Sequence, residues 1–212
     1  MDASEFARRL ERRFGRNVPV FTGEILEEMG EYSRPRVFQL LALAEEEGYL
    51  AKFAKGIYYI PTKTRYGRSI LSVEQVVEKK YVSSDGEVYG IYAGLPLLLR
   101  FLLSTQVPTA IEVVTNKETN WAREAKLKNR TVILRKPRCP ITKENADAYT
   151  ILELFSNLDM DRYKKEPSAQ KEVARFIKKK NIKGKDIVAI AGSFPNKTMR
   201  NLAESGVLHE FA

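Results

Sequence analysis

The stretch AKFAKGIYYIP, Ala51 to Pro61, decides how the first third of this chain is read. Apolar and polar residues alternate, the run turns at Lys55-Gly56, and Pro61 stops it. Two period-two segments around a glycine turn make a β-hairpin, here residues 49–53 against 57–60. Gly56 supplies a backbone conformation that residues with a Cβ resist. Lys52 and Lys55 sit on or beside the turn, and no acid in the run balances them. Tyr58 and Tyr59 occupy adjacent strand positions, so one is expected in the core and the other on the surface.

What precedes the hairpin gives it meaning. Phe6, Leu10 and Phe14 recur at four-residue spacing up to Gly15, which predicts a first helix. A second starts at Thr22 as N-cap with Glu24 in its first turn, carries Ile25, Leu26 and Met29, and stops at Gly30. A third is capped by Ser33, tolerates Pro35 in its first turn, and ends at Gly48. Its apolar residues Val37, Leu40, Leu41 and Ala44 follow the i, i+3, i+4, i+7 pattern. Helix, helix, short turn, helix, hairpin is the order of a winged helix-turn-helix, expected over residues 1–61.

In such a domain the third helix reads DNA. With its apolar stripe inward, Arg36, Gln39 and Leu43 face out, while Ser33 and Arg34 stand at the N-terminus, where backbone amides and the helix dipole attract phosphate. Arginine pairs bidentately with guanine, glutamine with adenine, and leucine packs on a thymine methyl. Lys52 and Lys55 suit the phosphate backbone. The expected DNA-binding set is therefore Ser33, Arg34, Arg36, Gln39, Lys52 and Lys55. An amphipathic helix with a solvated face has the same pattern, and it is the hairpin following it that favours DNA.

Residues 62–69, TKTRYGRS, are polar, basic and glycine-containing, the composition of a linker. Residues 70–212 are expected to form a C-terminal domain, with a small mixed sheet over 70–140 and a helical end over 141–212. Ser72 caps a helix through VEQVVEKK, DGE is a turn, and residues 91–103 read as a buried helix broken near Pro96. AIEVVT is a strand, and EAKLKNRTVILRK is a hairpin turning at Lys128-Asn129. NADAYTILELFSNLD, SAQKEVARFIKKK with Ser168 as cap, GKDIVAIAGSF and NKTMRNLAESG are helical. The fold class is mixed α+β.

The chain has 36 Lys+Arg against 27 Asp+Glu in 212 residues, a formal charge of +9, which favours a polyanionic partner. Two basic runs mark a candidate second surface: Lys126, Lys128, Arg130, Arg135 and Lys136, and then Lys178, Lys179 and Lys180. A solvated face explains many such runs. The single cysteine, Cys139, allows no intrachain disulfide; together with the charged start and apolar runs too short to span a bilayer, it gives the expectation of a cytoplasmic protein away from membranes. One histidine, His209, no zinc spacing and no phosphate-cradling glycine loop leave no catalytic, metal or cofactor site to assign. The rival readings are a metal-dependent nuclease delivered by the winged domain, a stand-alone regulator, and an interaction module for an acidic protein.

GIYYIP (56–61), LLSTQVP (102–108), NRTVILRK (129–136) and the ending FPNKTMRNLAESGVL together resemble the AbiEi-type antitoxins of type IV toxin–antitoxin, or abortive-infection, systems. The likeness is clearest from Ser33 to Lys136. It implies a non-enzymatic protein whose winged helix binds inverted-repeat operator DNA, as a dimer or as monomers side by side, and represses its own operon. It also implies a C-terminal domain that counteracts a nucleotidyltransferase-like toxin, and no cofactor. Glu45, Glu46 and Glu47 depart from a wholly basic reading helix, so only its N-terminal half is expected to approach phosphate.

Overall fold

The computed structural model describes residues 1–65 and 67–211; Tyr66, inside the expected linker, and Ala212, at the end of the expected C-terminal domain, lie outside the described residues. The content is mixed α/β with small sheets. Two compact units divide it, Met1–Lys79 and Lys80–Ala212, so the break falls later than the 62–69 segment.

In the first unit, α1 (Ala3–Phe14) starts where the Asp2 carboxylate accepts from the Glu5 amide at 2.7 Å, and it stops at Gly15, whose φ of 84° is left-handed. Ala3, Phe6, Ala7 and Leu10 are its buried face. Strand β1 (Val20–Phe21) leads into α2 (Thr22–Glu28). The N-cap is Phe21, not Thr22, because the Glu24 carboxylate accepts the Phe21 amide at 2.7 Å. Helix α3 (Arg34–Glu46) buries Val37, Leu40, Leu41 and Ala44 against a core that includes Phe6, Leu10, Ile25 and Met29. Ser33 holds the N-cap position, yet its side chain makes no capping bond. A cap hydroxyl bonds the second or third helical amide, and Pro35 at the second position removes one of those two donors.

Strands β2 (Ala51–Ala54) and β3 (Ile57–Tyr59) are antiparallel, Lys52 opposite Tyr58, with a bulge between Lys52 and Ala54. β3 pairs with β1 on its other side, which gives the order β1-β3-β2. Central position explains a correction: Tyr58 and Tyr59 are both buried, at 8% and 7% exposure. Tyr58 joins the helical core, while the Tyr59 hydroxyl donates to the Ser69 carbonyl at 3.2 Å, so the chain after the hairpin covers the face expected to be wet. That chain is itself ordered as β4 (Lys63–Thr64) and β5 (Gly67–Arg68). α4 (Val73–Val77) follows, with Ser72 and Gln75 capping each other, and runs into a π-helical turn at Glu78–Val82.

The second unit begins with a small hairpin, β6 (Ser83–Ser84) and β7 (Glu87–Val88), and continues with β8 (Gly90–Ala93) and α5 (Gly94–Arg100). Residues 91–103 are therefore strand and then helix, where one helix was expected. Short apolar runs look alike in both states. Gly90 selects the strand, since it lets the Tyr81 carbonyl lie where a Cβ would be, and Gly94 at φ 56° turns the chain into α5. β9 (Ala110–Thr115), β10 (Ala122–Leu127) and β11 (Arg130–Arg135) complete a sheet ordered β10-β11-β9-β8, parallel only between β11 and β9. Five helices close the unit: α6 (Ala146–Asn157), α7 (Met160–Lys164), α8 (Pro167–Lys180), α9 (Gly184–Ala191) and α10 (Asn196–Glu204). Glu166, not Ser168, holds the N-cap position of α8, without a side-chain capping bond, because Pro167 takes the first helical position that suits its missing N–H. α6 is buried along most of its length, and Tyr149, Leu152 and Phe155 anchor the core.

Candidate nucleic-acid interface

The six residues expected to touch DNA all belong to the first unit and all are exposed. Packing of Val37, Leu40, Leu41 and Ala44 inward turns Arg34, Arg36 and Gln39 out, together with Phe38 and Leu43. The Arg36 guanidinium donates to the Gln39 side-chain oxygen at 3.4 Å and to the Met1 carbonyl at 3.1 Å, so the two candidate base readers hold each other in register. Without a Ser33 cap, the first turn of α3 has amides no side chain satisfies, which suits an anion. Glu45, Glu46 and Glu47 are exposed at the far end.

Lys52 projects from β2, and Lys55 from the turn that Gly56 closes at φ 75°. The β4–β5 hairpin extends this basic strip with the exposed Lys63 and Arg68, which the linker reading passed over. The signal was in the sequence: residues 48–73 hold five Lys/Arg and no Asp or Glu. The hairpin is tied down by Asn17, whose Nδ2 donates to Thr62 Oγ1 at 2.5 Å and whose Oδ1 accepts from the Thr62 amide at 3.3 Å and from the Ser69 hydroxyl. The Arg68 guanidinium lies where a Cβ on Gly48 would be, at the C-terminal end of α3, whose carbonyls favour a cation. By contrast, Arg9 of α1 pairs with Glu28 and Glu31, and Arg16, just after the helix, pairs with Glu11. Among the described residues these arginines are committed to the fold.

The second basic surface is only partly a surface. Arg135 is a correction: its guanidinium bonds the Glu153 carboxylate at 2.7 Å, and Glu153 is 2% exposed, so this arginine neutralises a buried acid on α6. Lys178 pairs with Glu210 at 2.9 Å and Lys180 with Asp147 at 3.1 Å. Lys126, Lys128, Lys136 and Lys179 are exposed, and Arg130 is half-buried. The hairpin run and the α8 run stand on separate elements of the second unit. Charge is also distributed unevenly. Residues 1–79 carry 13 Lys/Arg against 12 Asp/Glu, which leaves 23 against 15 for residues 80–212.

Burial pushes the half-buried Cys139 thiol above its ordinary pKa, and His209 is exposed in the final 3₁₀ turn. No three His, Cys, Asp or Glu side chains converge among the described residues. No helix among them is long and apolar enough to cross a membrane. Compared with known protein families and with curated proteins, the chain matches none.

Proposed function

We propose that the first unit is a winged helix-turn-helix that binds operator DNA, and that the chain is an AbiEi-type antitoxin repressing its own operon. The observation that carries the DNA reading is the element order α1-β1-α2-α3-β2-β3, closed by a β1-β3-β2 sheet, with Arg34, Arg36 and Gln39 on the outer face of α3. α3 enters a major groove by its N-terminal half, Arg36 and Gln39 meet base edges, and Arg34 and the first-turn amides meet phosphate. The acid-free strip of Lys52, Lys55, Lys63 and Arg68 holds the neighbouring backbone. The antitoxin half of the proposal, and its nucleotidyltransferase-like partner, rest on the resemblance of the quoted sequence stretches.

Binding to the DNA upstream of its own gene, compared with scrambled duplex over a salt series, tests the reading. Arg36→Ala should erase the preference between the two duplexes. Lys52→Ala/Lys55→Ala should keep the preference and flatten the log–log salt slope by about 1.8, at about 0.9 per phosphate. Equal, weak binding to both duplexes by all three proteins would sink it. The antitoxin half is tested by co-expression with the neighbouring nucleotidyltransferase-like gene, where failure to restore growth counts against it.

A further inference from the structure

Helices α9 and α10 are the last two α-helices of the second unit, followed by the 3₁₀ turn Val207–Phe211, and only Gly192, Ser193, Phe194 and Pro195 separate them. Both pack on α6. Two short helices joined by a four-residue turn containing glycine have the connectivity of a helix-turn-helix, a motif whose second helix presents its N-terminal half to a major groove.

The inward face of α10 is fully used. Thr198, Asn201 and Leu202 are buried; Asn201 Nδ2 donates to the Phe155 carbonyl at 2.8 Å, and the Thr198 and Ser156 hydroxyls share a 2.8 Å hydrogen bond. This anchoring leaves Asn196, Lys197, Arg200 and Ala203 as one exposed stripe. The acid that follows, Glu204, is held by Lys164 at 3.2 Å. Lys197 and Arg200 form no ion pair among the described residues. A third cation stands at the turn: the Arg138 guanidinium lies 5.5 Å from the Phe194 ring centroid. Phe194 meets the fully buried Tyr149 edge-on at 4.9 Å, and the Tyr149 hydroxyl accepts the Arg138 amide at 2.8 Å, so turn and cation are fixed to one core residue. These are the side-chain types that recognise base edges and phosphate, and the unit that carries them has most of the chain's excess positive charge.

We propose that α9–α10 is a second duplex-DNA-binding element, with Asn196 facing the base edges of the major groove and Lys197, Arg200 and Arg138 on the phosphates beside it. B-form DNA is the fitting partner because the major groove of A-form RNA is too deep and narrow for a helix. The element stands on its own residues, independently of α3. Two linked elements raise overall affinity by making the second contact intramolecular.

The test uses the full chain, with Arg36→Ala/Lys52→Ala/Lys55→Ala disabling the first unit, titrated with random-sequence duplex between 50 and 200 mM salt. In that background Lys197→Gln/Arg200→Gln should weaken binding and take about 1.8 off the slope. The affinity lost across that salt range then shrinks by about tenfold. Arg138→Gln should weaken binding in the same direction, and Lys197→Arg should retain it. Circular dichroism unchanged by these exposed substitutions separates lost binding from lost fold. Slope and affinity indifferent to the double substitution overturn the proposal. So does capture of polyglutamate through the same residues with no affinity for duplex, which would mark an acidic protein partner. Full binding by the triple variant, lost with Lys197→Gln/Arg200→Gln, would uphold α9–α10 while removing the α3 reading.

Discussion

Asn17→Ala should release the β4–β5 hairpin from the first unit. Asn17 sits at φ 56°, in the left-handed region, and its amide makes three side-chain hydrogen bonds to Thr62 and Ser69. At about 0.5–1.5 kcal/mol each, with the 3.3 Å bond at the weak end, the three contribute about 2 kcal/mol. Alanine in a left-handed conformation adds about 1 kcal/mol that glycine does not incur. Asn17→Ala should therefore cost about 3 kcal/mol and Asn17→Gly about 2. The sole tryptophan, Trp121, lies in the second unit, so its fluorescence does not report this change. Urea unfolding followed by circular dichroism, with amide exchange over residues 58–71, does. Freed from its anchor, the hairpin would hold Lys63 and Arg68 less firmly, and the salt slope of DNA binding should flatten by up to about 1.8. Unchanged protection of residues 62–69 in both variants would refute the anchoring argument. Equal losses for alanine and glycine would refute the backbone part of it.

Arg135→Ala should cost about 3–5 kcal/mol, because it strands the buried Glu153 carboxylate, whereas Arg135→Leu/Glu153→Leu should be near neutral; urea midpoints decide, and equal effects would return Arg135 to the surface. Burial pushes the Tyr149 and Tyr163 hydroxyls up to about 12, against about 10 in the unfolded chain. Since the folded value is the raised one, this stability is complete below pH 10 and is lost between about pH 10 and 12, some 2–3 kcal/mol for each group. Tyr163→Phe, at a hydroxyl with no hydrogen-bond partner among the described residues, should flatten that alkaline loss without destabilising at pH 7; a steep loss in the variant would contradict it. Gly90→Ala should cost more than about 2 kcal/mol, its Cβ colliding with the Tyr81 carbonyl, while Gly23→Ala in α2 has open space and should stabilise by about 0.5–1 kcal/mol; thermal unfolding of the two proteins checks the contrast.

The helices were legible because their punctuation and period agree: Gly15 and Gly48 stop α1 and α3, and Val37, Leu40, Leu41 and Ala44 keep one face. The hairpins at 51–59 and 122–135 were legible for the same reason, each having a left-handed residue, Gly56 or Lys128, at its turn. What failed depends on partners distant in sequence. Alternation assumes one wet face, and Tyr59 is dry only because Ser69 returns over it. A basic glycine-containing stretch describes a linker and an exposed hairpin equally well, and the choice at 62–69 is made by Asn17, 45 residues earlier than Thr62. Charge runs list cations without their acids. Nothing near Arg135 in sequence announces Glu153, so a half-buried arginine paired with a buried acid was counted with the free surface cations.

The net charge of +9 is weaker support for DNA binding by the first unit than its layout. Residues 1–47 hold seven Lys/Arg against ten Asp/Glu, whereas 48–73 hold five cations and no acid. A duplex approaching this unit meets a basic strip bordered by the acidic end of α3, an arrangement that fixes orientation more than it adds affinity. Long-range attraction comes from the other unit, with its 23 Lys/Arg against 15 Asp/Glu. The salt slope can apportion the two. If Arg34, Arg36, the five cations of 48–73 and the exposed Arg8, Arg12 and Arg13 of α1 were all on phosphate, the first unit would give a slope of about −9 at most. A steeper slope for the whole chain requires phosphates held by residues 80–212. A slope at or below that limit, unaltered by Lys197→Gln/Arg200→Gln, would confine DNA to the first unit and leave the C-terminal charge to a protein partner.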